Sequence, residues 1–246
     1  MTDKTVTYIQ ELQEMMGAVI ERELDAIHQA AALVAAAVTA NGIVYTFGTG
    51  HSHVIAEDVA FRAGGLVPVD AILEDGLTGN HKVYQSMYME RVEGMADVIL
   101  DYYHPGPSDV MIIISNSGRN AAPIEMAAGA RERGLKVIAI TSLQYSRQTT
   151  SRHSSGKKLF ELADVVIDNQ VPLGDCIMSH PGMPQTFGPS SGVMDMVIIH
   201  ALVVAAINEL ADQGEQPPVF MSGNLDGSDE FNLPLLEQYR GRIKLW

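Results

Sequence analysis

The stretch Asp109-Val-Met-Ile-Ile-Ile-Ser-Asn-Ser-Gly-Arg-Asn120 decides the fold class. Five successive apolar residues give way at once to serine, asparagine and glycine. That is the pattern of a buried strand breaking into a loop, and a strand apolar on both sides belongs to a parallel sheet covered on both faces. Downstream, residues 121–133 have helical spacing with Gly134 as the expected cap, and residues 135–140 form the next strand. Upstream, residues 42–47 read as a strand, 48–53 as a loop, 54–63 as a short helix, 66–73 as a second strand and 81–95 as a helix. Residues 163–168 read as a further short strand, and 191–210 as a long, largely apolar helix. An amphipathic helix over residues 5–39, ended by Asn41-Gly42 with the glycine as left-handed cap, precedes them all. Strands alternating with helices in this way imply an α/β three-layer αβα sandwich around a doubly wound parallel sheet. No repeat or low-complexity linker divides residues 1–246, so a single domain is expected. Its core spans about 41–210, and its tail, 216–246, reads as irregular.

The chain of 246 residues carries 30 acidic against 16 basic residues, a formal net charge of -14. A nucleic-acid partner is disfavoured, because clustered Lys and Arg are needed to neutralise phosphates. The single cysteine, Cys176, forms no intrachain disulfide and anchors no metal cluster. The nine apolar residues 30–38 fall short of a membrane span, which takes about 18 or more. The start, Met1-Thr-Asp-Lys4, lacks the order of a secretory signal. The expectation is a cytoplasmic protein with no membrane partner.

Ligands of such sheets bind beyond the carboxyl ends of the strands. Three segments there share one composition: Gly48-Thr49-Gly50-His51-Ser52-His53, Ser115-Asn116-Ser117-Gly118-Arg119-Asn120, and Thr141-Ser142. Glycine lets backbone N–H groups approach a ligand, hydroxyls add donors, and a following helix presents its positive end. The same residues also build ordinary turns and N-caps, but three equivalent strand ends with one composition point to a cradle for an oxyanion. His53 stands where a dinucleotide fingerprint needs its third glycine, and no G-x-x-x-x-G-K-[ST] occurs. No cofactor is expected.

The two central motifs, residues 109–120 and 134–142, resemble the SIS (sugar isomerase) domain, in which a strand ends in S-x-S-G and the next strand ends in Thr. Phe47-Gly-Thr-Gly-His-Ser52 resembles that family's first glycine-rich loop, and the likeness runs over roughly residues 41–210. The resemblance implies a five-stranded, flavodoxin-like parallel sheet, phosphosugar binding, and homodimers or homotetramers with sites at subunit boundaries. It assigns Ser115 and Ser117 to the phosphate, with Thr49, His51 and Ser52 lining the same pocket. Asn120 departs from the family's usual Ser or Thr. Arg119 beside it can supply charge.

Aldose–ketose isomerisation needs an acid for ring opening and a base that moves a proton between C1 and C2. In phosphoheptose isomerase and the etherase acting on N-acetylmuramic acid 6-phosphate, a glutamate lies on the helix after the first loop. Arg62 occupies the matching position here. That leaves Glu57 or Glu74 as base, with His51 or His53 assisting ring opening. Arg62 can meet the anion or pair with Asp58. No third ligand joins His51 and His53 at a metal-site spacing, and His200 in its apolar helix reads as a core histidine. The ligand is an anionic sugar, phosphorylated or carrying another anion. Three roles stand open: isomerase, lyase or etherase on an amino-sugar phosphate, and non-catalytic regulator.

Overall fold

Five strands, β1 (Val44–Gly48), β2 (Val69–Ile72), β3 (Val110–Ile114), β4 (Lys136–Thr141) and β5 (Val165–Asp168), lie side by side. All neighbours are parallel and the order is β2-β1-β3-β4-β5. They belong to a computed structural model that describes residues 3–80 and 82–246. Around the sheet run α1 (Lys4–Thr39), α2 (Ser52–Asp58), α3 (Asp75–Thr78), α4 (Val83–Met89), α5 (Met95–Tyr103), α6 (Ala121–Glu132), α7 (Leu143–Gln148), α8 (Ser191–Asp212) and α9 (Ser228–Tyr239). A small antiparallel pair, β6 (Cys176–Met178) with β7 (Phe187–Pro189), sits apart from the sheet.

Side chains alternate across each strand and fill two cores. From β3, Val110, Ile112 and Ile114 pack toward α1, α2 and α8, while Met111 and Ile113 pack toward α5 and α6. The sandwich expected from the apolar strands is therefore present. Its sheet order reverses between β1 and β3. The helix after β1 turns to one face and the helix after β3 to the other, which opens a crevice at their carboxyl ends.

Several boundaries differ from the sequence expectation. The end of α1 takes its left-handed residue at Asn41 (φ 55°), not at Gly42. Gly42 is needed for close approach, since a Cβ there would lie 2.1 Å from the Ser108 carbonyl oxygen. The helix expected at 54–63 runs from Ser52 to Asp58, and the 66–73 strand shrinks to Val69–Ile72 because Leu66 bridges Val219 instead. His81, the first residue of the helix expected at 81–95, lies outside the described residues. Within the remainder the helix is α4 alone, and α5 begins only at Met95, after Gly94 (φ 87°), which donates its N–H to both carboxylate oxygens of Glu125. The tail read as irregular contains α9, which Pro234 disguises in sequence and Asp229 and Glu230 favour at its first turn. By length and mean hydropathy α8, the largely apolar helix expected at 191–210, also matches a membrane span. Its Met194, Ile198, Ile199, Leu202 and Ala206 are fully buried in the core it shares with α1 and the sheet.

The tail is fastened by a charge. Asp70, fully buried on β2, accepts the backbone N–H of Lys244 (2.8 Å) and Leu245 (3.2 Å). Burial pushes its pKa up to about 6. Next in the chain, Trp246 leans on Phe61 at 6.0 Å between ring centroids. Asp70→Ala should release this clasp and cost roughly 1–2 kcal/mol. Because Trp246 is the sole tryptophan, its emission should shift to the red; an unshifted spectrum would show that the tail is held by other contacts.

Candidate functional site

The turn that leaves β1 is possible only with glycine: a Cβ on Gly48 would stand 2.4 Å from the Ser52 carbonyl oxygen. This tight turn brings Thr49 and Ser52 against the loop that leaves β3, and the two loops wall a cavity of about 340 Å³. Ser115, Asn116, Ser117, Arg119 and Asn120 line it from the β3 side. Glu90, Tyr145, Arg152, Asp175 and Ser191 complete it.

Of the residues expected from sequence, then, Thr49, Ser52 and the polar residues of the β3 loop meet at one cavity. Thr49 donates its hydroxyl to Glu90 Oε2 at 2.7 Å. The Ser115 hydroxyl accepts the Gly118 N–H at 3.3 Å, which folds the loop back on itself. Thr141 and Ser142 stand behind the loop: the Thr141 hydroxyl (3.3 Å) and the Ser142 N–H (3.0 Å) both donate to the Asn116 carbonyl. They brace the cradle and do not line it.

The start of α6 offers less than a free helix end. Pro123 has no N–H, and the Ala122 N–H donates to the Glu90 carbonyl at 3.0 Å. Asn120 makes no capping bond; its Oδ1 accepts from Arg152 Nη1 at 3.0 Å. Burial and the nearby Arg119 and Arg91 guanidiniums hold the Arg152 pKa below its usual value.

The other candidates lie elsewhere. Glu57 is exposed on α2, and His53 is buried with Nδ1 against the Gly50 carbonyl. Glu74 is half-buried after β2, where burial and Asp75 raise its pKa. None of the three lines the cavity, nor does the exposed His51. Arg62 takes the second of its two expected partners, an ion pair with Asp58. The carboxylate of Asp58 also meets His200 Nε2 at 2.7 Å. His200 is therefore half-exposed and paired, not a core histidine, because the α2 end lies across α8 there.

Sequence reading missed Glu90, Arg152, Tyr145, Asp175 and Ser191. Arg152 had a signal: residues 147–158 hold four of the sixteen basic residues amid serine and threonine. Asp175 gathers the Ser190 and Ser191 N–H groups at 3.0 and 2.7 Å, closing off the start of α8. No metal ligand set was expected, yet Glu93, Glu125 and His153 converge, with His153 Nε2 at 3.3 Å from Glu125 and 3.8 Å from Glu93. Their carboxylates also take the Gly94 N–H and the Ser154 N–H and hydroxyl. The cluster pins the segment that carries Arg152.

A family model described as SIS domain matches residues 7–142. A UPF0309 protein of Geobacillus kaustophilus is 42% identical over 236 residues, covering 96% of this chain and 94% of that protein. Another UPF0309 protein, from Streptomyces coelicolor, is 40% identical over 232 residues, 94% of this chain and 92% of that one. Among solved structures, the phosphoheptose isomerase of Neisseria gonorrhoeae superposes with a TM-score of 0.58 at 19% identity, over 83% of this chain and 97% of that one. The NanR protein of Vibrio vulnificus complexed with ManNAc-6P does so at 0.55 and 16%, over 87% and 65%. At these identities the structural likeness is one of fold.

Behind the cavity Asp195 is buried on α8, and burial pushes its pKa up to about 7. A pKa raised by folding means stability present at low pH and lost as pH climbs from the ordinary aspartate value toward the folded one. Asp195→Asn should therefore gain on the wild type between about pH 4 and pH 7, levelling above that at a few kcal/mol. Melting temperatures across pH test this; a gap independent of pH would contradict it.

Proposed function

Because this chain belongs to the SIS domain family, we propose that the cavity between the β1 and β3 loops binds the phosphate of a phosphorylated sugar and that the protein interconverts an aldose and a ketose. The observation that carries the first part is a knot of positive groups in a chain of net charge -14. Arg119 and Arg152 line the cavity beside the Ser115 and Ser117 hydroxyls, and Arg91 lies close enough to depress the Arg152 pKa. Against these three stands Glu90; the charge of Asp175 is met by the start of α8. Three positive charges less one leave two, which suits a phosphate dianion better than a sulfonate or carboxylate. Donors fixed at one cavity, from the buried Ser115 to the exposed Arg152, can hold such an anion despite the unfavourable overall field.

The base on this reading is Glu90 in place of Glu57 or Glu74. Its carboxylate lines the cavity and is aimed by the Thr49 hydroxyl at 2.7 Å. It would take the proton from C2 of the open-chain aldose and return it to C1 of the enediolate, while the O2 hydroxyl proton passes to O1, giving the ketose. The subunit arrangement we infer is a homodimer. Ile9, Ile20 and Leu24 form an exposed stripe on α1, and Val193, Val197 and Val204 another on α8, in two helices packed together.

With hexose, hexosamine, heptose and pentose phosphates in D₂O, at least one sugar should bind and acquire deuterium at C2. Glu90→Gln should keep binding and lose exchange about 10²–10⁴-fold. Ser117→Trp should lose binding. Specific binding without exchange for any sugar would replace the isomerase by a non-catalytic regulator, and exchange undiminished in Glu90→Gln would remove that base. For the dimer, light scattering of wild type and Ile20→Glu/Val204→Glu should show loss of half the mass; equal masses would place the interface elsewhere.

A further inference from the structure

Asn116 lines the cavity, but a carboxamide helps an anion only if it presents N–H groups and not its oxygen. Resting on the reading of this cavity as the anion site, we infer that Asn169 and Asp195 are positioning residues that lock the Asn116 side chain with its N–H₂ group toward the bound anion. The lock is a one-way chain of hydrogen bonds. Asp195 Oδ1 accepts from Asn169 Nδ2 at 2.7 Å, and Asn169 Nδ2 also donates to Asn116 Oδ1 at 3.2 Å. The direction of Asn169 is itself fixed, because its Oδ1 accepts the backbone N–H of Val171 at 3.1 Å. A backbone N–H only donates and a carboxylate only accepts, so turning the Asn169 amide over would set oxygen against oxygen and N–H against N–H.

With its oxygen engaged behind it, Asn116 has only its nitrogen left. That nitrogen has no hydrogen-bond partner among the described residues. The residue cannot slide as a whole either, since its carbonyl is held by Thr141 and Ser142. Asn169 and Asp195 are 0% and 1% exposed and do not line the cavity. They act on a ligand only through Asn116.

The test is calorimetric titration with inorganic phosphate at pH 8. Asn116→Ala should weaken phosphate about tenfold, the worth of one hydrogen bond to a charged group. Asn169→Ala and Asp195→Ala should weaken it by about three- to tenfold, although neither residue touches the anion. Two readouts separate this from simple loosening. The Asn116→Ala/Asn169→Ala double variant should bind no more weakly than Asn116→Ala alone, because the relay has nothing left to position. Asp195→Asn, whose Oδ1 can take the same bond, should bind within about twofold of wild type while Asp195→Ala does not. Independent, multiplying losses in the double variant, or equal binding by Asp195→Ala and Asp195→Asn, would overturn the relay while leaving the cavity's role intact. Failure of the wild type to bind phosphate, or retention of binding in Ser117→Trp, would overturn the reading of the cavity and the relay with it.

Discussion

The site depends on the reversal of strand order between β1 and β3. Both strands point the same way, but the chain leaves β1 for the face holding α1 and α8 and leaves β3 for the face holding α5 and α6. No connection can bridge the gap between their ends, so a crevice is left open with two loops as its walls. Gly48 lets the first wall turn sharply enough to meet the second. The second is braced from β4 through Thr141 and Ser142 and from β5 and α8 through Asn169 and Asp195. A cavity with rigid donors thus follows from topology before any ligand is considered.

Electrostatics then gives the crevice its sign. The chain as a whole is acidic, yet arginines from three separated stretches approach one another at this point. Desolvation, and after it the like charges of Arg119 and Arg91, hold the Arg152 pKa below its usual value. Glu90 opposes part of this effect, and the Glu93–Glu125–His153 cluster anchors the neighbouring segment. An anion in the cavity would favour the charged guanidiniums that line it.

What could be read from the sequence was local. The apolar run of β3, the Ser-Asn-Ser-Gly loop after it, and the glycine-rich turn after β1 each carry their structure within a few residues, and all are found where expected. What could not be read was set by distant partners. Arg62 had two suitors in sequence, and only the approach of α2 to α8 gives it Asp58 beside His200. Glu90 sits in a turn whose importance comes from Thr49, forty-one residues away. The helix α9 was hidden because Pro234 is a poor guide once tertiary contacts hold the surrounding turn. The candidate bases Glu57, on the helix after the first loop, and Glu74, at the end of the second strand, do not line the cavity.

The central claim is that the anion of a sugar phosphate sits between the β1 and β3 loops. The most direct measurement is a crystal structure of the protein soaked with a sugar phosphate that binds it in solution. The account predicts the phosphorus atom within hydrogen-bond reach of the Ser115 and Ser117 hydroxyls and the Asn116 amide nitrogen, with the Glu90 carboxylate facing the sugar carbons. A phosphate held instead beside Arg62 and His200, with the β1–β3 crevice empty, would contradict it.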